Sequence, residues 1–376
     1  MSLSDRFLAR IVVSPWTRLA WDHDPHRSAS LAWSRRLLIA LVVAAGTAVL
    51  AARAAVDPAD TKTGALWRQL TLDTATEDRI LALAAEHISE RDVEQLLARA
   101  PAPRIIALQG SFAVVTMQDF AEFLIAMGYP EERIRNPRDG TLSYSSFGDS
   151  EKLAGELAWY YETEGMRPIL IGHSQGGMMV VKVLHELAGN FNGSIRVWNP
   201  HTDEAEQRAT IVDPVTGLKR PVVGLKLPYA TAMATGKLPR LLLGQWTMLS
   251  RLRKIPDSVE EFTGFSIPWD PIAGDFAATE PYRSTGSAVV RNVRLPARTS
   301  HVGIPLTKHL ALNAGTRAWI NAYVPGIDTS SVPSEPGVDT SNIVHAADIW
   351  YSVKKHWCLE AQRLIGAKRQ VSGVSR

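Results

Sequence analysis

Six consecutive residues, Gly172-His173-Ser174-Gln175-Gly176-Gly177, place a hydroxyl between glycines at a spacing that serves nucleophilic chemistry. A short apolar run, Pro168-Ile169-Leu170-Ile171, leads into them, and Met178-Met179-Val180-Val181 opens a long apolar stretch after them. Strand, Gly-x-Ser-x-Gly, helix is the context in which this pattern makes a nucleophile elbow. A serine at the tip of so tight a turn exposes its hydroxyl in a strained backbone conformation. The positions around it must be glycine, because a Cβ there would meet the neighbouring strand and helix. Ser174 is the candidate nucleophile.

Such a turn needs a sheet beneath it. Arg104-Ile105-Ile106-Ala107-Leu108 is apolar without alternation, the pattern of a strand buried on both faces. It ends at Gln109-Gly110-Ser111-Phe112, before a helix predicted over 116–127. An amphipathic helix over 153–164 precedes the elbow strand, and Ser194-Ile195-Arg196-Val197-Trp198 reads as the next strand. The strand pattern resumes at 262–269 and 288–295, and a helix over 307–323 follows. This alternation predicts an α/β fold with a mostly parallel sheet and helices on both faces. It is interrupted over 201–261, where a hairpin is expected around Asp213-Pro214-Val215-Thr216-Gly217. A helix-like segment with Leu241, Leu242, Leu243, Trp246, Met248 and Leu249 comes after the hairpin.

On these residues the chain resembles the α/β-hydrolase superfamily, in particular its lipase, esterase and thioesterase branches, over about residues 100–325. The resemblance implies a triad in the order serine, acid, histidine, with an oxyanion hole of backbone amides. A hydroxyl is a poor nucleophile until a neighbouring base takes its proton. His301, in the loop Arg298-Thr299-Ser300-His301 after the last strand, fits that role better than His309, which lies inside the following helix. His173 sits too close to the nucleophile to aim its ring at the hydroxyl, and packing under the elbow is its expected part.

Asp270 ends the strand at 262–269 and occupies the family's usual acid position, with Asp275 and Asp203 as alternatives. One oxyanion donor is the N–H of Gln175 at the start of the elbow helix, where the helix dipole favours negative charge. The other is expected from Ser111 in the loop after Leu108. Here the chain departs from the family, which often has His-Gly where Gln109-Gly110 stands. The insert 201–261 resembles a cap over the site that supplies an acyl-binding wall, a fixed part of the core being the alternative.

The implied activity is a serine hydrolase that cleaves carboxylic esters or thioesters through an acyl-enzyme, with no metal or organic cofactor. A transacylase uses the same triad. From another class comes a non-catalytic binding module that keeps the fold, in which Ser174, Asp270 and His301 need not converge.

The whole chain is consistent with these readings. Its 376 residues are 45% hydrophobic and 21% charged, ordinary for a globular protein. A net charge of +3, without basic runs interleaved with aromatics, argues against nucleic acid as a partner. The single cysteine, Cys358, excludes an intramolecular disulfide, and no Cys/His spacing suits zinc.

Residues 37–52 are apolar or small, led by Arg35-Arg36 and closed by Arg53. Extended to Val56 with Arg53 snorkelling, they suffice for a bilayer core. An uncleaved anchor is favoured over a signal peptide cut within Ala51-Ala52-Arg53-Ala54-Ala55, and a buried core helix is the remaining alternative. Ser34-Arg35-Arg36-Leu37-Leu38 also resembles a twin-arginine export signal.

The resulting plan is a basic leader and membrane segment over 1–56, and a linker with two short helices over 57–100. The second of these helices is opened by the capping-box form Ser89-x-x-Asp92. A catalytic domain covers 101–325, and a Ser/Pro linker with a last helix (343–366) covers 326–376. That helix sets Ala346, Trp350, Val353, Trp357 and Leu364 on one face and Lys354, Lys355 and Arg363 on the other. Docking on the protein's own surface is expected, with membrane-surface contact as the alternative.

The leader predicts a location. Residues 1–36 carry six arginines against three aspartates, and positive charge stays on the cytoplasmic side. The catalytic domain is therefore expected outside the cytoplasmic membrane. Protease added to intact spheroplasts should digest it, whereas protection until lysis would reverse the orientation.

Overall fold

The structure, a computed structural model, describes residues 71–112, 114–236, 245–274, 280–296, 299–326, 332–333 and 336–374. The expected membrane segment at 37–52, the polar linker at 57–64, Leu241 to Leu243 and Asp275 lie outside them. Among the described residues, no helix is long and apolar enough to cross a membrane. These residues all belong to one compact unit, 58–376.

At its centre is a five-stranded parallel sheet: β1 (Ile105–Leu108), β2 (Ile169–His173), β3 (Leu227–Met233), β4 (Val259–Ser266) and β5 (Val289–Arg294), paired in chain order. The main helices are α1 (Thr74–Leu81), α2 (Glu90–Gln95), α3 (Gln118–Ala126), α4 (Ser150–Glu164), α5 (Gln175–Leu187), α6 (Lys308–Leu312), α7 (Ala314–Ala322) and α8 (Ile343–Val374).

Alternate strand residues feed two separate cores. Ile105, Ala107, Ile169 and Ile171 pack with α3, α7 and α8, while Ile106, Leu108 and Leu170 pack with α4 and α5. The helices thus cover both faces, as parallel strands require. Because the strands are parallel, every loop leaving a strand's C-terminal end emerges on one edge of the sheet.

Local chemistry sets several of the helix ends. Ser89 and Asp92 form the expected capping box at the start of α2, and Asp149 caps α4. Gly165 ends α4 in the left-handed conformation that glycine adopts at little cost. The predicted helix at 307–323 is broken at Asn313, whose extended backbone and side chain cap α7 instead. The hairpin is present, with Val212 opposite Lys219 and Asp213 Oδ1 accepting from the amides of Val215 and Thr216 at 3.0 and 3.1 Å.

Three expectations are corrected. Ser194 to Trp198 is not a strand of the central sheet: only Trp198–Asn199 forms a ladder, antiparallel to Glu204–Ala205. Its alternation has another cause. The segment lies across α4, where Gly155 leaves room for the Arg196 carbonyl, and Ile195 and Val197 point into the α4–α5 core.

The strand that follows α5 in the sheet is β3, which lies inside the stretch read as a cap. The stretch 201–261 therefore contains a fully buried strand of the central sheet and is not a single insert. Of the helix-like segment, Trp246–Met248 is a single 3₁₀ turn with Met248 buried and Trp246 exposed.

The third correction concerns the length of α8, which runs past residue 366; as expected it docks on the protein itself, where it joins the core. Trp350, Val353 and Trp357 are completely buried. Trp357 donates to Pro101 O at 2.9 Å and meets the Tyr129 ring edge-on at 4.9 Å. Its basic residues are also engaged. Lys355 pairs with Glu261 of β4 at 2.9 Å, and Arg363 pairs with Glu360 at 2.8 Å. Lys354 reaches the carbonyls of Ile88 and Asn321 at 2.8 and 3.1 Å, and burial pulls its ammonium down to about 8. Cys358 is buried in the same layer, and burial pushes its thiol up to about 12. Trp357→Ala should therefore cost about 3–5 kcal/mol, the range for removing a buried aromatic. Urea unfolding would check it, and a loss below 1 kcal/mol would mean that α8 does not carry this core.

Candidate active site

β2 runs into the elbow. Ser174 follows it with φ 52° and ψ −114°, and α5 begins at the next residue. Holding a non-glycine residue there costs about 1–3 kcal/mol, so the surroundings must enforce it. Ser174 N donates to Met233 O of β3 at 2.8 Å, and Thr235 Oγ1 donates to Ser174 O at 3.0 Å. The glycines have steric reasons. A Cβ on Gly172 would overlap the Gly176 backbone, one on Gly176 the Leu108 carbonyl, and one on Gly177 the Thr235 hydroxyl.

The hydroxyl faces a histidine. Ser174 Oγ lies 3.0 Å from His301 Nε2, and His301 Nδ1 lies 2.6 Å from Asp270 Oδ2. The carboxylate accepts, so Nδ1 carries the proton and Nε2 is free to accept from the serine. All three side chains are buried. Asp270 is itself held, its Oδ1 accepting from the amides of Ile272 and Ala273 at 3.0 and 3.1 Å. The turn that delivers it passes through Trp269 at φ 59°, a second strained non-glycine residue. The arrangement suits nucleophilic attack by Ser174, proton transfer through His301, and orientation by Asp270.

The other candidates stand elsewhere. His309 Nε2 donates to Asp339 O at 2.7 Å. Asp203 is exposed and pairs with Arg138 at 2.5 Å and with Lys152. Gln175 is the first residue of α5, where an amide has no acceptor within the helix. A Cβ on Gly110, the residue before Ser111, would lie 3.2 Å from His173 Nδ1 and 3.4 Å from the Ser174 Cβ, so this loop runs beside the elbow. Gln109, where the family often has histidine, braces this loop. Its Oε1 accepts from Ser143 Oγ at 2.9 Å, and Ser143 Oγ accepts from Met117 N at 2.9 Å. Among the described residues, no group of three or more His, Cys, Asp or Glu side chains gathers as metal ligands.

His173 does more than pack. Its Nε2 donates to His301 O at 2.9 Å, fixing the backbone of the residue that faces Ser174. Burial, helped by the neighbouring His301, holds its imidazole down to about 3, so the ring stays neutral. His345, at the start of α8, does the same for Ile304 O at 2.9 Å, and burial holds it down to about 4. The sequence signal for His173 was its place in the motif. His345 had none, since nothing local marks a contact made across forty-one residues.

No protein-family model matches this chain, and comparison with curated proteins and with solved structures found no match.

The two buried histidines make stability depend on pH. Folded, they bind protons more weakly than in the unfolded chain, whose value is near 6.5, so unfolding takes up protons below that pH. Their contribution is complete above about pH 6.5 and is lost as the pH falls toward about 4 for His345 and about 3 for His173. His345→Gln keeps a donor but cannot titrate. Between pH 7.5 and 5 it should lose roughly 2 kcal/mol less unfolding free energy than the wild type in urea. Equal losses would show that His345 is not held neutral.

Proposed function

We propose that the protein is a serine hydrolase of the α/β-hydrolase type, acting on carboxylic esters through an acyl-enzyme. The observation that carries the proposal is the hydrogen-bonded run from Ser174 through His301 to Asp270. A binding module that had lost catalysis would not need these groups within bonding distance, so the geometry favours chemistry over mere retention of the fold.

In this reading Ser174 Oγ attacks the ester carbonyl carbon as its proton passes to His301 Nε2. Asp270 keeps the ring oriented and stabilises the imidazolium. The negative oxygen is met by the amides of Gln175 and Ser111, with the positive end of α5 beside it. The carbon–oxygen bond to the alcohol then breaks, and the alcohol leaves with the proton from Nε2. Water repeats the sequence on the acyl-serine, releasing the acid and the free serine.

An acyl chain suits the surroundings better than a charged or sugar-like group. Phe112, Trp269, Ile272, Val302 and Leu306 are large, apolar and exposed. Each follows the C-terminal end of β1, β4 or β5, on loops that also carry Ser111, Asp270 or His301. Exposed apolar residues gathered on one edge mark a place where apolar surface is received. We further propose that residues 37–56 anchor or export the enzyme, so that its substrate is met outside the cytoplasmic membrane.

Hydrolysis of nitrophenyl esters of increasing acyl length tests this reading. Wild-type protein should prefer medium or long chains over acetate. Ser174→Ala should lower kcat by about 10⁶-fold, and Asp270→Asn by about 10⁴-fold. Turnover that survives in Ser174→Ala would overturn the assignment.

A further inference from the structure

We propose that the start of α8 is part of the catalytic apparatus: Asn342 and His345 act as positioning residues that clamp the loop carrying His301. The inference rests on the reading of His301 as the general base.

The loop from His301 to Leu306 has no regular structure of its own beyond the Leu306 N to Gly303 O bond at 2.9 Å. Side chains from elsewhere hold its carbonyls. His173 Nε2 donates to His301 O, and Asn342 Nδ2 donates to Gly303 O at 2.7 Å and to Leu306 O at 3.1 Å. His345 Nε2 donates to Ile304 O at 2.9 Å. Just beyond, Asp119 Oδ1 accepts from the amides of Thr307 and Lys308. Two of the three donor side chains, the capping Asn342 and His345 in the first turn, belong to the start of α8.

What these side chains leave undone is informative. Asn342 O accepts the Ala346 amide, so Asn342 stands at the position where an asparagine side chain ordinarily caps a helix. Its buried Oδ1 nevertheless meets no hydrogen-bond partner among the described residues, and its Nδ2 is given to the loop. His345 and His173 are alike: each buried Nδ1 meets no partner among the described residues and each Nε2 faces a loop carbonyl. Buried acceptors are normally satisfied. Here all three side chains are turned so that their donors reach one loop.

The His345 ring also lies edge-on to Phe265 at 6.2 Å, near the end of the strand that leads to Asp270. Ile304, fully buried, joins the same core as Ile343, Ala346 and Trp350. The first turn of α8 therefore touches both segments whose relative placement sets the His301–Asp270 bond.

The test uses full-length protein and three readouts: ester turnover, the downfield proton resonance of His301 Nδ1–H, and the thermal midpoint. That resonance is identified by its loss in Asp270→Asn. Asn342→Asp exchanges donors for acceptors while keeping a good helix cap, and His345→Leu removes the donor at similar volume. Each should lower kcat by about 10–100-fold with KM changed less than about 2-fold, and should broaden or abolish the resonance. His345→Gln, whose amide still reaches Ile304 O, should restore both.

Folded variants with wild-type kcat and an intact resonance would overturn the proposal and leave α8 a packing element. Should His345→Leu not fold, His345→Gln and His345→Asn decide between them. Both keep a buried amide but only the longer one reaches, so equal activity would overturn the clamp. If the wild type has no Ser174-dependent turnover, the reading of function falls instead. The resonance alone then shows whether the clamp orients the ring.

Discussion

The close approach of backbones at the elbow is the constraint on which the rest depends. α5 comes so near to β1 that no side chain fits between Gly176 and the Leu108 carbonyl, and so near to the β3 exit that Gly177 must also be bare. This contact forces Ser174 into its strained conformation and raises the hydroxyl above the sheet edge. The strain persists because bonds from both sides over-determine it: the Ser174 amide to Met233 O, and the Thr235 hydroxyl to Ser174 O. A looser packing would let the turn relax and lower the serine away from His301.

The parallel sheet does the remaining placement. β1, β2, β4 and β5 each deliver one group, respectively the Ser111 loop, Ser174, Asp270 and His301, from their C-terminal ends. Their spacing is set by the strand order. The loops themselves are held from outside, by Ser143 bonding the Gln109 side chain, by the turn amides around Asp270, and by His173, Asn342 and His345 around His301. Precision at the site thus draws on residues from the end of β1 to the start of the last helix.

Much of this was legible in the sequence because it rests on local pattern. The elbow glycines and the unbroken apolar run of β1 follow from requirements visible within a few residues, whereas the order serine, aspartate, histidine comes from the resemblance that the elbow motif carries. β3 was not legible. Leu227-Pro228-Tyr229-Ala230-Thr231-Ala232-Met233 has small residues and a proline where a central strand normally has neither. The pairing explains both. Pro228 precedes Ala230, where pairing with β2 begins, and Ala232 is small because it faces Gly177 of α5. The segment at 194–198 misled for the opposite reason, its alternation reflecting a packed face against α4 rather than membership of the sheet. The stripe on α8 and its docking on the protein were expected, but not the residues that bury it. An amphipathic pattern states that a face is buried and is silent on what buries it.

The central claim is that Ser174 is an activated nucleophile. It is tested most directly by reacting the folded protein with a fluorophosphonate and locating the adduct by peptide mass. A single phosphonate on the peptide containing Ser174, formed at a stoichiometry near one and absent from Ser174→Ala and His301→Ala, is the predicted result. Labelling that persists in folded Ser174→Ala, or a folded wild-type protein that takes no label, would contradict it.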